Sequence, residues 1–338
     1  MRRHREWNNL AGGAEVRLLV PKIEANNVSP EFSLTYTPTD DLTLFGSYRQ
    51  GFKSGSFNTI VFIDANTRAD FGEEKAKGGE IGVKARMLDR SLTFNLAAYR
   101  YIYSDLQVGA NEVSSTGGII LRTINAASAK VQGVELDASF RPREAEGLTL
   151  RGAINYNHAR YKSFPNAPCG NGQTIAEGSN QILNPATGRF TSQDLKGRAL
   201  VRAPNWTANF GIDYEMPVGG GTTLALGASG NYSSSFYTNL VGFKEYRQDS
   251  FLKLGGNITL RGEDRGWDVA LIRNNLTNRI TAALCSNSNT QAGTVFGGQL
   301  AGGPVKGAAG SDELGCVAER GREVWLRLTL RPGQLFGR

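Results

Sequence analysis

The sequence predicts an all-β protein, an antiparallel transmembrane β-barrel of about eleven strands. Apolar and polar residues alternate with period two in eleven segments, as in strands with one apolar and one wet face. The connections between these segments are alternately tight and long, the pattern of a barrel with short turns at one end and large loops at the other. The apolar set of the eleven segments is expected to carry no Asp, Glu, Lys or Arg, because a charge facing lipid near the midplane costs about 2–4 kcal/mol.

In chain order the segments are 31–37, 42–49, 80–87, 91–103, 130–141, 148–160, 204–216, 222–234, 250–261, 266–273 and 322–330. In the fifth, Val134, Leu136, Ala138 and Phe140 alternate with Glu135, Asp137, Ser139 and Arg141. In the sixth, Leu148, Leu150, Gly152, Ile154 and Tyr156 alternate with Thr149, Arg151, Ala153, Asn155 and Asn157. The seventh sets Trp206, Ala208, Phe210, Ile212, Tyr214 and Met216 against Thr207, Asn209, Gly211, Asp213 and Glu215. The ninth repeats the pattern, with Leu252, Leu254, Ile258 and Leu260 against Lys253, Asn257, Thr259 and Arg261. Elsewhere the polar set holds Arg49, Glu80, Lys84, Arg86, Asp268, Glu323 and Arg327. Aromatics of the apolar set cluster near strand ends: Tyr36, Tyr48, Phe140, Tyr156, Trp206, Tyr214, Tyr232 and Trp267. Membrane barrels place aromatic girdles there. The tight connections are Thr37–Asp41, Leu88–Arg90, Pro142–Gly147, Pro217–Gly221 and Gly262–Gly266; the long ones run roughly over 50–79, 104–129, 161–203, 235–249 and 274–321. A large soluble sandwich would share the alternation but not this regular loop asymmetry.

Composition removes other classes. The 338 residues are 40% hydrophobic and 20% charged, and no stretch of about 18 apolar residues offers a membrane helix. The basic start lacks the apolar core of a secretory signal. Three cysteines and two histidines, scattered, argue against a disulfide-built scaffold and a His/Cys metal cluster. The net charge of +7 is spread with acids between the bases, so no nucleic-acid partner is expected.

Several stretches resemble one family. Phe45-Gly-Ser-Tyr-Arg-Gln-Gly-Phe-Lys-Ser-Gly-Ser-Phe-Asn58 is similar to the strand-then-loop signature of the barrel of TonB-dependent outer-membrane receptors. Glu80-Ile-Gly-Val-Lys84 with the run Leu92 through Val108 resembles its next hairpin, and Asn125-Ala126 followed by Gly133-Val-Glu-Leu136 its following strand. Ala203-Pro-Asn-Trp206, Asn274-Asn-Leu-Thr-Asn278 and Gly321-Arg-Glu-Val-Trp-Leu-Arg-Leu-Thr-Leu330 resemble later strand boundaries and the closing strand. Each motif is weak alone; the six in the family's order are specific together.

The resemblance implies a 22-stranded barrel of which these segments are the second half, in the outer membrane of a Gram-negative bacterium, with short turns at the periplasm and long loops outside. It implies contact with outer-membrane lipid, handling by the barrel-assembly machinery, and TonB-dependent uptake of a scarce bulky ligand such as an iron-siderophore. The family's plug domain and TonB box are not visible here, so the chain reads as a fragment unable to transport alone. Residues 1–30 would be a loop or truncated-strand leader, 31–330 the partial barrel and 331–338 a tail in which Phe336 could replace the family's terminal aromatic. The alternative reading is a passive porin-like channel.

Catalytic chemistry finds little footing, and no catalytic, cofactor-binding or metal-binding residue is nominated. Gly51-Phe-Lys-Ser-Gly55 has its serine one place late for a nucleophile elbow, and Ala308 stands where a P-loop after Gly302 needs Lys. His4 and His158 are isolated; His158 reads as an interfacial imidazole. Cys285 and Cys316 share one outer loop and either clip it or remain free, with Cys169 elsewhere. The loop aromatics Phe52, Phe57, Phe62, Phe164, Phe236, Tyr237 and Phe243 offer stacking surface. Lys53, Lys162, Arg189 and Lys244 could attract an anionic chelate, but the ligand-binding residues stay unknown.

Overall fold

The computed structural model describes residues 20, 22–58, 69–113, 119–125, 128–169, 173, 175–180, 183–184, 189–190, 192–240, 242–262, 266–287 and 314–331. His4, Phe62, Ala126, Gly302, Ala308 and Phe336 lie outside them.

Eleven strands form one antiparallel sheet in which every neighbour in sequence is a neighbour in space. They are β1 (Glu31–Thr39), β2 (Leu42–Lys53), β3 (Glu74–Met87), β4 (Leu92–Ser104), β5 (Ser128–Phe140), β6 (Leu148–Ser163), β7 (Trp206–Gly219), β8 (Thr222–Ser233), β9 (Phe251–Arg261), β10 (Trp267–Asn274) and β11 (Glu323–Leu330). Each corresponds to one alternating segment. Among the described residues the sheet is open, with β1 and β11 as its two edges. β3 begins six residues before its predicted start, and its added rungs pair with the top of β2, Lys53 opposite Glu74 and Gln50 opposite Lys77. Those rungs lie beyond the aromatic level, where neither face needs to be apolar and the alternation has nothing to enforce it.

Tight turns join the strands at one end. Between β7 and β8, Gly219, Gly220 and Gly221 take φ of 96°, 56° and 68°, a left-handed run that side chains resist. Leu88, Asp89 and Arg90 adopt a left-handed run without glycine, held by Ser91 N donating to Leu88 O at 3.1 Å and Arg90 Nε to Asp41 Oδ1 at 2.8 Å.

Register fixes which side chains share a face. Tyr36, Leu44, Val83, Leu96, Leu136, Ile154, Ala208, Tyr232 and Leu252 form one continuous cross-strand row. Among the described residues this face has no packing partner layer: on it Leu34 and Leu326 are each 76% exposed and Ile81 68%. An apolar sheet face left open in this way belongs against hydrocarbon. The buried core lies elsewhere, at the long-loop end, where Ala129, Tyr161, Phe164, Ala167 and Leu195 pack with Tyr103, Leu106 and Leu200.

The expectation of a charge-free apolar set requires correction. Arg100, Lys130, Arg160 and Arg273 stand on that face by register, opposite Gly79, Arg160, Lys130 and Gly256 respectively. All four sit at the long-loop ends of their strands. There the hydrocarbon gives way to headgroups and a charge costs only about 0–1 kcal/mol.

The long connections also hold structure that alternation did not reveal. Gln107–Val113 pairs with Ile119–Asn125, and Ala282–Asn287 with Leu314–Ala318. Two-residue pairings brace the loops after β2, β6 and β8, and a 3-10 turn spans Lys244–Tyr246. Runs this short, or apolar without alternation as at Ile119-Ile120-Leu121, give no period-two signal.

Candidate functional site

The polar face is a charged wall in which opposite charges meet across strands. Arg49 Nη2 lies 3.0 Å from Glu80 Oε1, which also accepts from Ser47 Oγ at 3.4 Å. Arg151 pairs with Asp213, and Arg261 with Glu215. Asn95 Nδ2 donates to Asp137 Oδ2 at 2.8 Å. Tyr99 lies flat along this wall because Gly133 leaves room for it: a Cβ there would meet the Tyr156 carbonyl oxygen at 2.1 Å and the Tyr99 hydroxyl at 2.6 Å. Tyr99 Oη donates to Asn157 Oδ1 at 3.2 Å.

The mouth above this wall is built by asparagines at the strand ends. Asn58 Oδ1 accepts from Thr123 N at 2.7 Å while its amide donates to Thr123 O at 3.0 Å, joining the loop after β2 to the hairpin after β4. Asn125 accepts from Gly72 N at 2.6 Å and donates to Asp105 O at 2.8 Å. Asn275 accepts from Arg279 N at 2.9 Å and donates to Arg279 O at 3.0 Å and Arg320 O at 3.3 Å. Asn205 Oδ1 takes a hydrogen bond from Arg160 Nη2 at 3.0 Å, beside Trp206, whose ring centroid is 4.8 Å from that of Tyr156. A side-chain amide can donate and accept at once, so one asparagine satisfies two strands of irregular backbone.

Two loops are further tied together. Cys285 and Cys316 form a disulfide, so the alternative of free thiols falls for this pair. Cys285 N donates to Thr238 Oγ1 at 3.2 Å and Cys285 O accepts from Asn239 Nδ2 at 3.0 Å, which docks the clipped hairpin on the loop after β8. Glu319 accepts from Lys253 Nζ and from Thr281 Oγ1 at 2.7 Å; the Lys253 hydrogen bond first, then that of Thr281, hold its carboxyl below the usual range. Cys169 is half-buried beside Ser179, and burial pushes its thiol up, away from the nucleophilic thiolate.

The loop residues considered for ligand capture divide. Phe164 is buried against Tyr161, with ring centroids 5.3 Å apart, and so belongs to the mouth's core. Phe243 packs on the buried Tyr246, also at 5.3 Å. Phe52, Lys53, Lys162 and Lys244 are exposed; Phe57, Phe236 and Tyr237 are half-buried in short hairpins, and Arg189 lies in another. No chelating cluster of His, Cys, Asp or Glu occurs among the described residues. His158 stands on the outward face, opposite Gln132. Sequence reasoning missed the asparagine staples as a group, although Asn58, Asn125, Asn205 and Asn275 all fall within the motifs that carried the resemblance.

A sequence model of the TonB dependent receptor-like β-barrel matches residues 5–261. The chain belongs to this TonB-dependent receptor family. Its members are outer-membrane transport receptors of Gram-negative bacteria, and the eleven-strand antiparallel sheet is part of such a barrel. Among solved structures it is similar to the ferric yersiniabactin uptake receptor FyuA from Yersinia pestis, with 16% identity and a TM-score of 0.58 over 88% of this chain and 36% of that one. It is likewise similar to the siderophore receptor PiuA from Acinetobacter baumannii, with 18% identity and a TM-score of 0.55 over 88% of this chain and 35% of that one. The copper transporter OprC gives 16% identity and a TM-score of 0.58 over 89% of this chain and 39% of that one. The chain thus spans a little over a third of the length of these receptors, and at such identities the likeness is one of fold. No curated protein matches the sequence. Within the stretches that resemble the family, Asn58, Asn125, Asn205 and Asn275 are the residues that tie the long loops to one another and to the strand ends.

Proposed function

We propose that the chain forms half of the wall and outer mouth of a receptor that imports a bulky, scarce metal chelate across the outer membrane. In this reading it is placed by the barrel-assembly machinery and energised by TonB through a plug domain. The observation that carries the reading is the pairing of two surfaces on one sheet: an unpartnered apolar face for lipid and a charged wall for an occupied lumen. The named uptake of ferric yersiniabactin by FyuA, and the siderophore and copper roles of PiuA and OprC, support a metal or metal-chelate cargo. Two edges, β1 and β11, have no partner strand among the described residues, which supports completion by further strands, since unsatisfied backbone groups in hydrocarbon cost several kcal/mol each.

The test is uptake of radioactive iron, presented as a panel of ferric siderophores, by cells whose own receptors are deleted and which express the protein with the strands that complete its barrel. Uptake that disappears on deletion of TonB is the expected result. Solute entry that persists without TonB would make the protein a passive channel and overturn the proposal.

A further inference from the structure

Of the eleven strands in the main sheet, β8 alone carries no Asp, Glu, Lys or Arg. It turns Thr223, Ala225, Gly227, Ser229, Asn231 and Ser233 to the lumen. Asn209 of β7 stands directly opposite Asn231, and Asn257 of β9 opposite Gly227. The amide of Asn257 lies over Gly227, in space that a Cβ would fill. An uncharged lane of amides, hydroxyls and glycines thus runs down a wall that is charged on both sides. Toward the short turns the lane is crossed by the ion pair of Glu215 and Arg261, which joins β7 to β9 over β8.

The asparagines of the mouth each fasten backbone, but those of the lane do not. Asn209 and Asn231 are exposed, and among the described residues no hydrogen bond engages their side chains or that of Ser229. Asn155 Oδ1, on β6 opposite Thr207, is buried without a donor among them. The charges flanking the lane are satisfied within the protein: Arg151 by Asp213, Arg261 by Glu215 and Lys253 by Glu319. Hydrogen-bonding capacity without a partner is therefore what this part of the wall offers to an occupant of the lumen.

We infer that the inward face of β8, with Asn155, Asn209 and Asn257 beside it, is a track along which cargo crosses the lumen, suited to an oxygen-rich chelate of little net charge. The inference rests on the transport reading above. A side-chain amide donates and accepts, so it meets carbonyl, hydroxyl and hydroxamate groups alike. Inward positions recur every second residue, about 7 Å apart along the strand, so a new contact forms as the last is released. Passage requires sites favourable enough to enter and weak enough to leave. An unpaired ion would trap a cargo of opposite sign and repel one of like sign. A strongly charged cargo would shed its hydration on the lane and gain no counter-charge.

The experiment measures TonB-dependent uptake of radioactive iron by receptor-deleted cells that express the protein with the strands completing its barrel. The iron is presented as a neutral ferric trihydroxamate and as a triply negative ferric tris-catecholate. Ser229 and Thr93 lie in one cross-strand row, on β8 and β4, both inward and exposed. Ser229→Trp is expected to abolish uptake of the trihydroxamate while its binding at the cell surface is retained. Thr93→Trp, off the track, should leave both unchanged. N209A/N231A should slow uptake about fivefold, the scale of one lost hydrogen bond, and N209S/N231S should restore most of it. Equal inhibition by the two tryptophans, uptake that Ser229→Trp leaves intact, or preference for the tris-catecholate would overturn the track while transport stands. Failure of the unaltered protein to take up any chelate of the siderophore panel would overturn the transport reading and the track with it. Should Ser229→Trp not reach the outer membrane, N209A/N231A, which removes only exposed atoms, decides the question: unchanged uptake overturns the track.

Discussion

The sharpest test of the two-faced sheet is a charge moved along β7. Trp206 and Tyr214 mark the two aromatic levels, and Phe210 lies midway between them on the same face. At about 3.3 Å per residue the levels are roughly 26 Å apart along the strand, close to the apolar height of a membrane barrel once tilt is included. Arginine at Phe210 therefore meets the bilayer midplane, where it costs about 2–4 kcal/mol, and at Tyr214 about 0–1 kcal/mol. Phe210 also covers Gly230, so Phe210→Ala measures loss of the ring without the charge. On the opposite face Asp213→Asn breaks only the half-exposed pair with Arg151, worth at most about 1 kcal/mol. The assay is urea unfolding of the protein, joined to the strands that complete its barrel and folded into phosphatidylcholine vesicles. The expected order of cost is Phe210→Arg, then Ile212→Arg, then Tyr214→Arg, with Asp213→Asn near zero. If Phe210→Arg matched Phe210→Ala, or cost less than Asp213→Asn, the facing assignment would be refuted.

Other outcomes follow from the mouth and the wall. Gly133→Val drives a side chain into the Tyr156 carbonyl and the Tyr99 ring, and should cost about 2–3 kcal/mol, read as a lower unfolding midpoint than that of Tyr99→Phe. Asn275→Ala strands the backbone of Arg279 and Arg320; hydrogen exchange should speed in 276–282 and 314–322 by a factor set by about 2 kcal/mol, with β7 unaffected. Reducing Cys285–Cys316, which closes a separation of 31 residues, should loosen the same loop by up to about 3–4 kcal/mol on the chain-entropy account, leaving the strand sheet protected. The depressed Glu319 carboxyl contributes above its ordinary value of 4.5 and loses that contribution as the pH falls through its lower folded value. Protection near Thr281, corrected for intrinsic exchange, should therefore fall below pH 4.5, and Glu319→Gln should abolish the pH response.

The strands were legible because a two-solvent sheet writes itself into the sequence at period two. Leu150 and Arg151 cannot exchange places without one of them meeting the wrong medium, so each rung constrains its residue type. The alternation stops being informative where the medium changes. That is why Glu74–Gly79 read as loop, and why Arg100, Lys130, Arg160 and Arg273 stood on the lipid-facing parity against expectation. The mouth was legible only as motif: Asn58, Asn125 and Asn275 were visible as letters of a resemblance, but their partners are from 4 to 65 residues away, and hydrogen-bond reach across loops has no sequence period.

By itself the sequence determined the fold class, the number of strands in the main sheet, the parity on which each strand residue falls and the end at which the long loops lie, because all of these follow from local alternation and connection length. Tertiary structure decided the rest. It showed that Phe164 serves the mouth's core, that Cys285 meets Cys316, and that Asn209 and Asn231 of neighbouring strands stand side by side on one uncharged lane. Such convergence depends on register between strands far apart in the chain, and register is set by pairing that no single segment encodes.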